Sequence, residues 1–189
     1  GDWYYAGYNA GGGGEWGGKK LSGTLTVQNK IGWGNYQAPC TGSYTLGTEY
    51  LVYGRVWVDG ITNVGGESSR IEAQVGYSTN NTDPSLGGFT WVDAQYNTKY
   101  GNNHEYMHNI GADIPSVGTY YMAFRYRVDE KSWYYAVRDS NCAPNDQGGT
   151  WNGTTNINAS VEATAPSESS HVLVDTSFSY PQNIPYINY

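Results

Sequence analysis

Apolar and polar positions alternate most cleanly between Gly118 and Arg138. Tyr120, Met122, Phe124, Tyr126 and Val128 are interleaved with Thr119, Tyr121, Ala123, Arg125 and Arg127. A strand sends successive side chains to opposite faces, so the first set can line a core. Asp129-Glu130-Lys131-Ser132 then supplies a polar turn. Beyond it, Trp133, Tyr135 and Val137 face one way, and Tyr134, Ala136 and Arg138 the other. This pattern predicts a β-hairpin.

Shorter runs with the same period predict strands at 21–31, 49–59, 70–77, 89–94, 104–110 and 171–178. In the second of these, Val52, Val56 and Val58 share one face, and Leu51, Tyr53, Arg55 and Trp57 the other. In the third, Ile71, Ala73, Val75 and Tyr77 point inward. Segments 32–47, 95–103 and 141–170 read as loops, the last with a weak strand around 157–161. Gly, Tyr, Thr and Asn suit short strands and turns better than helices. The expected fold is all-β: an antiparallel two-sheet sandwich of immunoglobulin-like or jelly-roll type. It occupies residues 21–179, between a Gly- and aromatic-rich arm (1–20) and an extended tail (180–189) in which Pro181 and Pro185 exclude a central strand.

Composition narrows the partners. The formal net charge is −7 and only 14% of residues are charged, which argues against nucleic acid. No apolar run is long enough for a membrane span. Cys40 and Cys142 predict one disulfide and an oxidising, secreted or cell-surface setting. A first residue Gly1 rather than Met fits removal of a secretion signal.

Several segments then carry a resemblance. They are Ile31-Gly32-Trp33-Gly34-Asn35, the run Tyr53 to Thr62, Ala73 to Tyr77, Trp91 to Asn97, Gly101 to Met107, Gly118 to Arg125 and Trp133 to Ala136. Over residues 31–139 the chain resembles β-sandwich accessory modules of secreted bacterial proteins, which often sit beside hydrolase domains. The resemblance implies the fold and is nearly silent on activity. It departs at His104, where such modules commonly have an acidic residue, and it does not include the two terminal arms.

Four kinds of chemistry are readable in the residues. Asp93, Asn97, Asn102, Asn103 and Glu105 offer oxygen donors for a hard cation such as Ca²⁺; ordinary turn formation explains the same residues. His104 and His108, on one face of a strand, are too far apart to share a transition metal. Tyr53, Trp57, Trp91, Tyr121 and Tyr134 could form a sugar-stacking platform, a protein interface or simply core. Glu49, Glu72, Glu105 and Glu130 are the carboxylates a glycosidase would need in pairs. The chain is similar to small β-jelly-roll xylanases in length and Tyr and Trp content, but it lacks their catalytic-strand motifs. Asn80, Asn152 and Asn158 head Asn-x-Ser/Thr triplets.

The leading expectation is a secreted, noncatalytic structural subunit that self-assembles as a homopolymer at the cell surface or in an extracellular filament. Trp3, Tyr4, Tyr5 and Tyr8 at one end, and Ile184, Tyr186 and Ile187 at the other, would grip neighbouring copies by strand addition. The alternative is a carbohydrate-binding module or lectin with polysaccharide as partner; a second alternative is a small glycosidase. No cofactor beyond calcium is implied.

Overall fold

The computed structural model describes residues 6–9, 12–15, 29–142 and 147–167. Near the start, β1 (Ala6–Asn9) and β2 (Gly12–Glu15) form an antiparallel hairpin within the Gly- and aromatic-rich arm. The body follows with β3 (Trp33–Ala38), β4 (Thr41–Thr45), β5 (Leu51–Trp57), β6 (Ile71–Ser78), β7 (Thr90–Asp93), β8 (Gln95–Tyr100) and β9 (Asn103–Asn109). Then come β10 (Gly118–Val128), β11 (Tyr134–Ala136), β12 (Arg138–Asp139), β13 (Asn156–Ile157) and β14 (Ala159–Thr164). Helical structure among the described residues is confined to 3-10 turns at Pro84–Leu86 and Ile110–Ala112.

Two sheets make a sandwich. One runs β4-β14-β10-β6-β7, with β11 also paired to β10; the other runs β3-β5-β9-β8. Pairing is antiparallel except between β14 and β4. The predicted hairpin is present: Phe124 faces Ala136 and Tyr126 faces Tyr134 across β10 and β11. Its apolar set Tyr120, Met122, Phe124, Tyr126 and Val128 is buried, as are Val52, Val56 and Val58 from the opposite sheet. A buried apolar side chain of this size contributes roughly 1.5–3 kcal/mol relative to exposure. Tyr126 spans the sandwich. A Cβ on Gly34 would come within 3.0 Å of its ring, and one on Gly54 would collide with its hydroxyl; through this gap the hydroxyl donates to the Asn35 carbonyl at 3.0 Å.

Two expected loops hold strands, and the expected weak strand is present. Segment 32–47 holds β3 and β4, segment 95–103 holds β8, and the weak strand near 157–161 is β14, seated beside β10 inside its sheet. The predicted strand 21–31 lies outside the described residues up to position 28, and 29–31 is not strand; the predicted strand 171–178 and the tail 180–189 lie outside as well.

Candidate functional site

Because one face of β10 is core, Tyr121, Ala123, Arg125 and Arg127 fall on the outer face of the larger sheet. Register supplies their neighbours: Gln74 opposite Arg125, Glu72 opposite Arg127, Tyr135 on the other side of Arg125, and Trp91 opposite Gly76. A Cβ on Gly76 would approach the Trp91 indole to 2.6 Å, so the ring lies flat where only a glycine leaves room. Phe89 stacks on Trp91 at 5.6 Å between centroids, and Tyr135 meets Trp91 edge-on at 5.7 Å. The Arg125 guanidinium lies 4.5 Å from the Trp91 ring and 4.3 Å from the Trp133 ring; Arg127 lies 4.6 Å from Trp133. Cation–π attraction of this kind is worth about 0.5–1 kcal/mol at exposed sites.

Acceptors fix the guanidinium planes. Arg125 donates from Nε to Gln74 Oε1 at 2.8 Å, and Gln74 donates in turn to Asp93 at 2.7 Å. Arg127 grips Glu72 with two bonds, at 2.9 and 2.6 Å. The result is a ladder across β7, β6, β10 and β11 in which aromatic rings alternate with guanidinium planes. Glu72 and Asp93 also belong to an adjoining cleft of about 520 Å³, lined further by Glu67, Gln95, Tyr96 and Tyr106.

The outer face of the smaller sheet is built differently. Arg55 Nε donates to Glu105 Oε2 at 2.8 Å, and Asn97 donates to Glu105 Oε1 at 2.8 Å. Asn35, 1% exposed, accepts from the Arg55 backbone at 3.1 Å and donates to the Gln147 carbonyl at 2.7 Å. The Tyr100 ring covers Arg55 at 3.7 Å. Next to this network, Trp33 and Trp57 face each other across β3 and β5, and with Asn102 and Asn103 they line a cleft of about 390 Å³.

The predicted residues distribute over both faces. Trp91 and Tyr121 lie on the larger sheet's outer face, Tyr53 and Trp57 on the smaller sheet's. Tyr134 is a correction: it opposes Tyr126 and packs against the core, while its neighbours Trp133 and Tyr135 take the outer positions. Phe89, Arg125, Trp133 and Tyr135, which were not among the expected residues, are in contact with one another or with Trp91 on the larger sheet's outer face. The alternation within 133–138 was the available signal; which parity faced inward depended on the turn.

Of the five oxygen donors, Asn97 and Glu105 bond each other, Asn102 and Asn103 share the tryptophan cleft, and Asp93 belongs to the other sheet, bonded to Gln74. Among the described residues no group of three or more His, Cys, Asp or Glu gathers around a metal-sized position. His104 is buried, and burial together with Lys99 lowers its pKa, whereas Glu67 and the Val64 backbone act in the opposite sense. His108 bonds Asp113 at 2.6 Å. Glu72 and Glu105 are ion-paired on opposite outer faces. Asn158 is buried and its amide donates to Asn81 and Thr82. Cys40 and Cys142 form the expected disulfide. Trp3, Tyr4, Tyr5, Ile184, Tyr186, Ile187 and the side chain of Tyr8 lie outside the described residues.

No family model matches the chain. It is similar to amylopullulanases of three bacteria. Identity is 31% over 114 residues with that of Thermoanaerobacterium thermosulfurigenes, covering 50% of this chain and 6% of the relative. It is 34% over 88 residues with that of Thermoanaerobacterium saccharolyticum, covering 39% and 7%. It is 32% over 112 residues with that of Thermoanaerobacter thermohydrosulfuricus, covering 50% and 8%. The chain therefore matches a small segment of each much longer relative. Among the described residues no helix is long and apolar enough to cross a membrane.

Proposed function

We propose that this chain is a noncatalytic accessory module of a secreted carbohydrate-active protein, and that the outer face of β7-β6-β10-β11 holds a neutral polysaccharide. The aromatic–guanidinium ladder carries the reading. A pyranose ring has an apolar C–H face and a rim of hydroxyls. Trp91, Trp133 and Tyr135 offer stacking surface, while Gln74, Asp93 and Glu72 place acceptors and donors at its margin. Arg127 is paired with Glu72, Arg125 is linked to Asp93 only through Gln74, and the chain carries −7 overall, so the face favours an uncharged polymer over a polyanion. Similarity to segments of proteins named amylopullulanases supports α-glucans as the first class to test.

Native affinity electrophoresis in gels containing amylose or pullulan tests this. We expect retardation of the wild type, and a marked loss of retardation for Trp133→Ala. Equal mobility with and without polysaccharide for the wild type would remove the reading.

Self-assembly through the terminal segments is the second reading. The hairpin of β1 and β2 favours it, because it gives the N-terminal segment a strand-pairing geometry. Its test is sedimentation of a chain lacking residues 1–18, which should stay monomeric where the full chain polymerises.

A further inference from the structure

The cleft between Trp33 and Trp57 lies on the face opposite the ladder and plays no part in it. Three observations make it a built site. First, the two indoles are cross-strand partners, and Trp57 is bedded on Gly32: a Cβ there would collide with the ring. The ring is held flat without a side chain beneath it, as Trp91 is over Gly76. Second, the Trp33 indole N–H is fixed by a bond to the Gly148 carbonyl at 3.2 Å, which sets that ring's orientation from its far edge. Third, Asn103 is only 9% exposed and lines the cleft, so it brings a well-placed carboxamide to the wall.

The lining fixes the chemistry of that something. Trp33, Trp57, Asn102 and Asn103 carry no charge. The neighbouring Arg55 and Glu105 neutralise each other at 2.8 Å. A volume of about 390 Å³ lies within the usual range for small-molecule sites, about 300–1,000 Å³. Flat apolar walls with carboxamides at the rim suit a neutral sugar ring: its C–H face against indole, its hydroxyls to amide oxygen and nitrogen.

We propose that this cleft is a second glycan site, so that one module holds two stretches of polysaccharide on opposite faces. The inference rests on the reading that the chain binds neutral glycans, and it adds a distinct location and a stoichiometry. Two sites facing apart cannot both contact one short oligosaccharide, so they bind independently in solution and by avidity on a polymer surface.

The test uses the whole chain and maltoheptaose. Calorimetric titration should give two sites per chain, and the Trp57 indole N–H signal in a ¹H–¹⁵N spectrum should shift on saturation. Trp57→Ala and Trp133→Ala should each reduce the stoichiometry to one. Asn103→Ala, which keeps the walls, should weaken the cleft site about tenfold while the ladder site is unchanged. A single site that Trp133→Ala abolishes, with the Trp57 signal unmoved, overturns the cleft and leaves the ladder standing. A single site abolished by Trp57→Ala alone supports the cleft and overturns the ladder. No binding of any glycan overturns both. A proline-rich peptide that moves the Trp57 signal where maltoheptaose does not would overturn the sugar assignment, since such peptides also dock on aromatic grooves.

Discussion

The two outer faces each carry an Arg–Glu pair with nearly the same geometry and very different surroundings. Arg55 and Glu105 meet at 2.8 Å with side chains 9% and 12% exposed; Arg127 and Glu72 meet at 2.6 Å with 30% and 42% exposed. On the smaller sheet the pair is desolvated under Tyr100 and completed by Asn97, so its bonds hold the structure. On the larger sheet the guanidinium stays half hydrated and its plane serves as stacking surface for Trp133. Each guanidinium has an aromatic ring over it, so aromatic content does not separate the buried pair from the hydrated one. The hydration of the arginines does.

Breaking each pair is the strongest way to test that contrast. Arg55→Ala leaves Glu105 buried with only Asn97, and denaturant unfolding should show a loss of about 3–5 kcal/mol. Arg127→Ala, at a hydrated surface pair, should leave the denaturant midpoint close to that of the wild type. Equal losses would erase the distinction between the faces. A smaller effect is expected from Gly76→Ala, which must push Trp91 off its bed: about 1–3 kcal/mol of stability, with weakened retention on amylose. The reverse side of the smaller sheet supplies a pH effect. The pKa of His104 is lowered in the fold by burial and by Lys99, against Glu67. The unfolded chain therefore binds the proton first as pH falls below about 6.5. Stability should be level above that point and decline below it. Melting temperatures at pH 7 and pH 5 should show this decline, reduced in His104→Phe. The smallest effect concerns calcium. Both Glu105 oxygens are engaged by Arg55 and Asn97, so a cation there would have to displace them. Melting temperatures in calcium and in chelator should agree; a rise of several degrees with calcium would mean that the donors at 97–105 rearrange around it.

Legibility in the sequence followed apolar side chains. The long hairpin was readable because five large apolar residues alternate without interruption and all of them are buried. β8 was not, because nearly every residue from Gln95 to Tyr100 is exposed and no inward set exists to show a period. β4 has a single buried residue, Tyr44, and β14 marks its inward face with Ala159, Val161 and Ala163, a weak signal for a strand inside a sheet. The platform failed at Tyr134 through parity. A register shift of one residue exchanges all inward and outward positions, and the turn at 129–133 set that register with Asp129 and Glu130 both at positive φ, which the residue types do not announce. The acceptors Gln74 and Asp93 are unremarkable as sequence; pairing of β6 with β7 and β10 brings them to Arg125.

The sulfur bridge has a consequence for survival outside a cell. It joins positions 102 residues apart and so encloses most of the sandwich, including the exposed stretch around Leu86. A protease that cuts there leaves two fragments bound to one another covalently as well as by the sheets. The nicked chain should run as one band without reductant and as two with it, and its sheets should stay paired after the backbone has been broken.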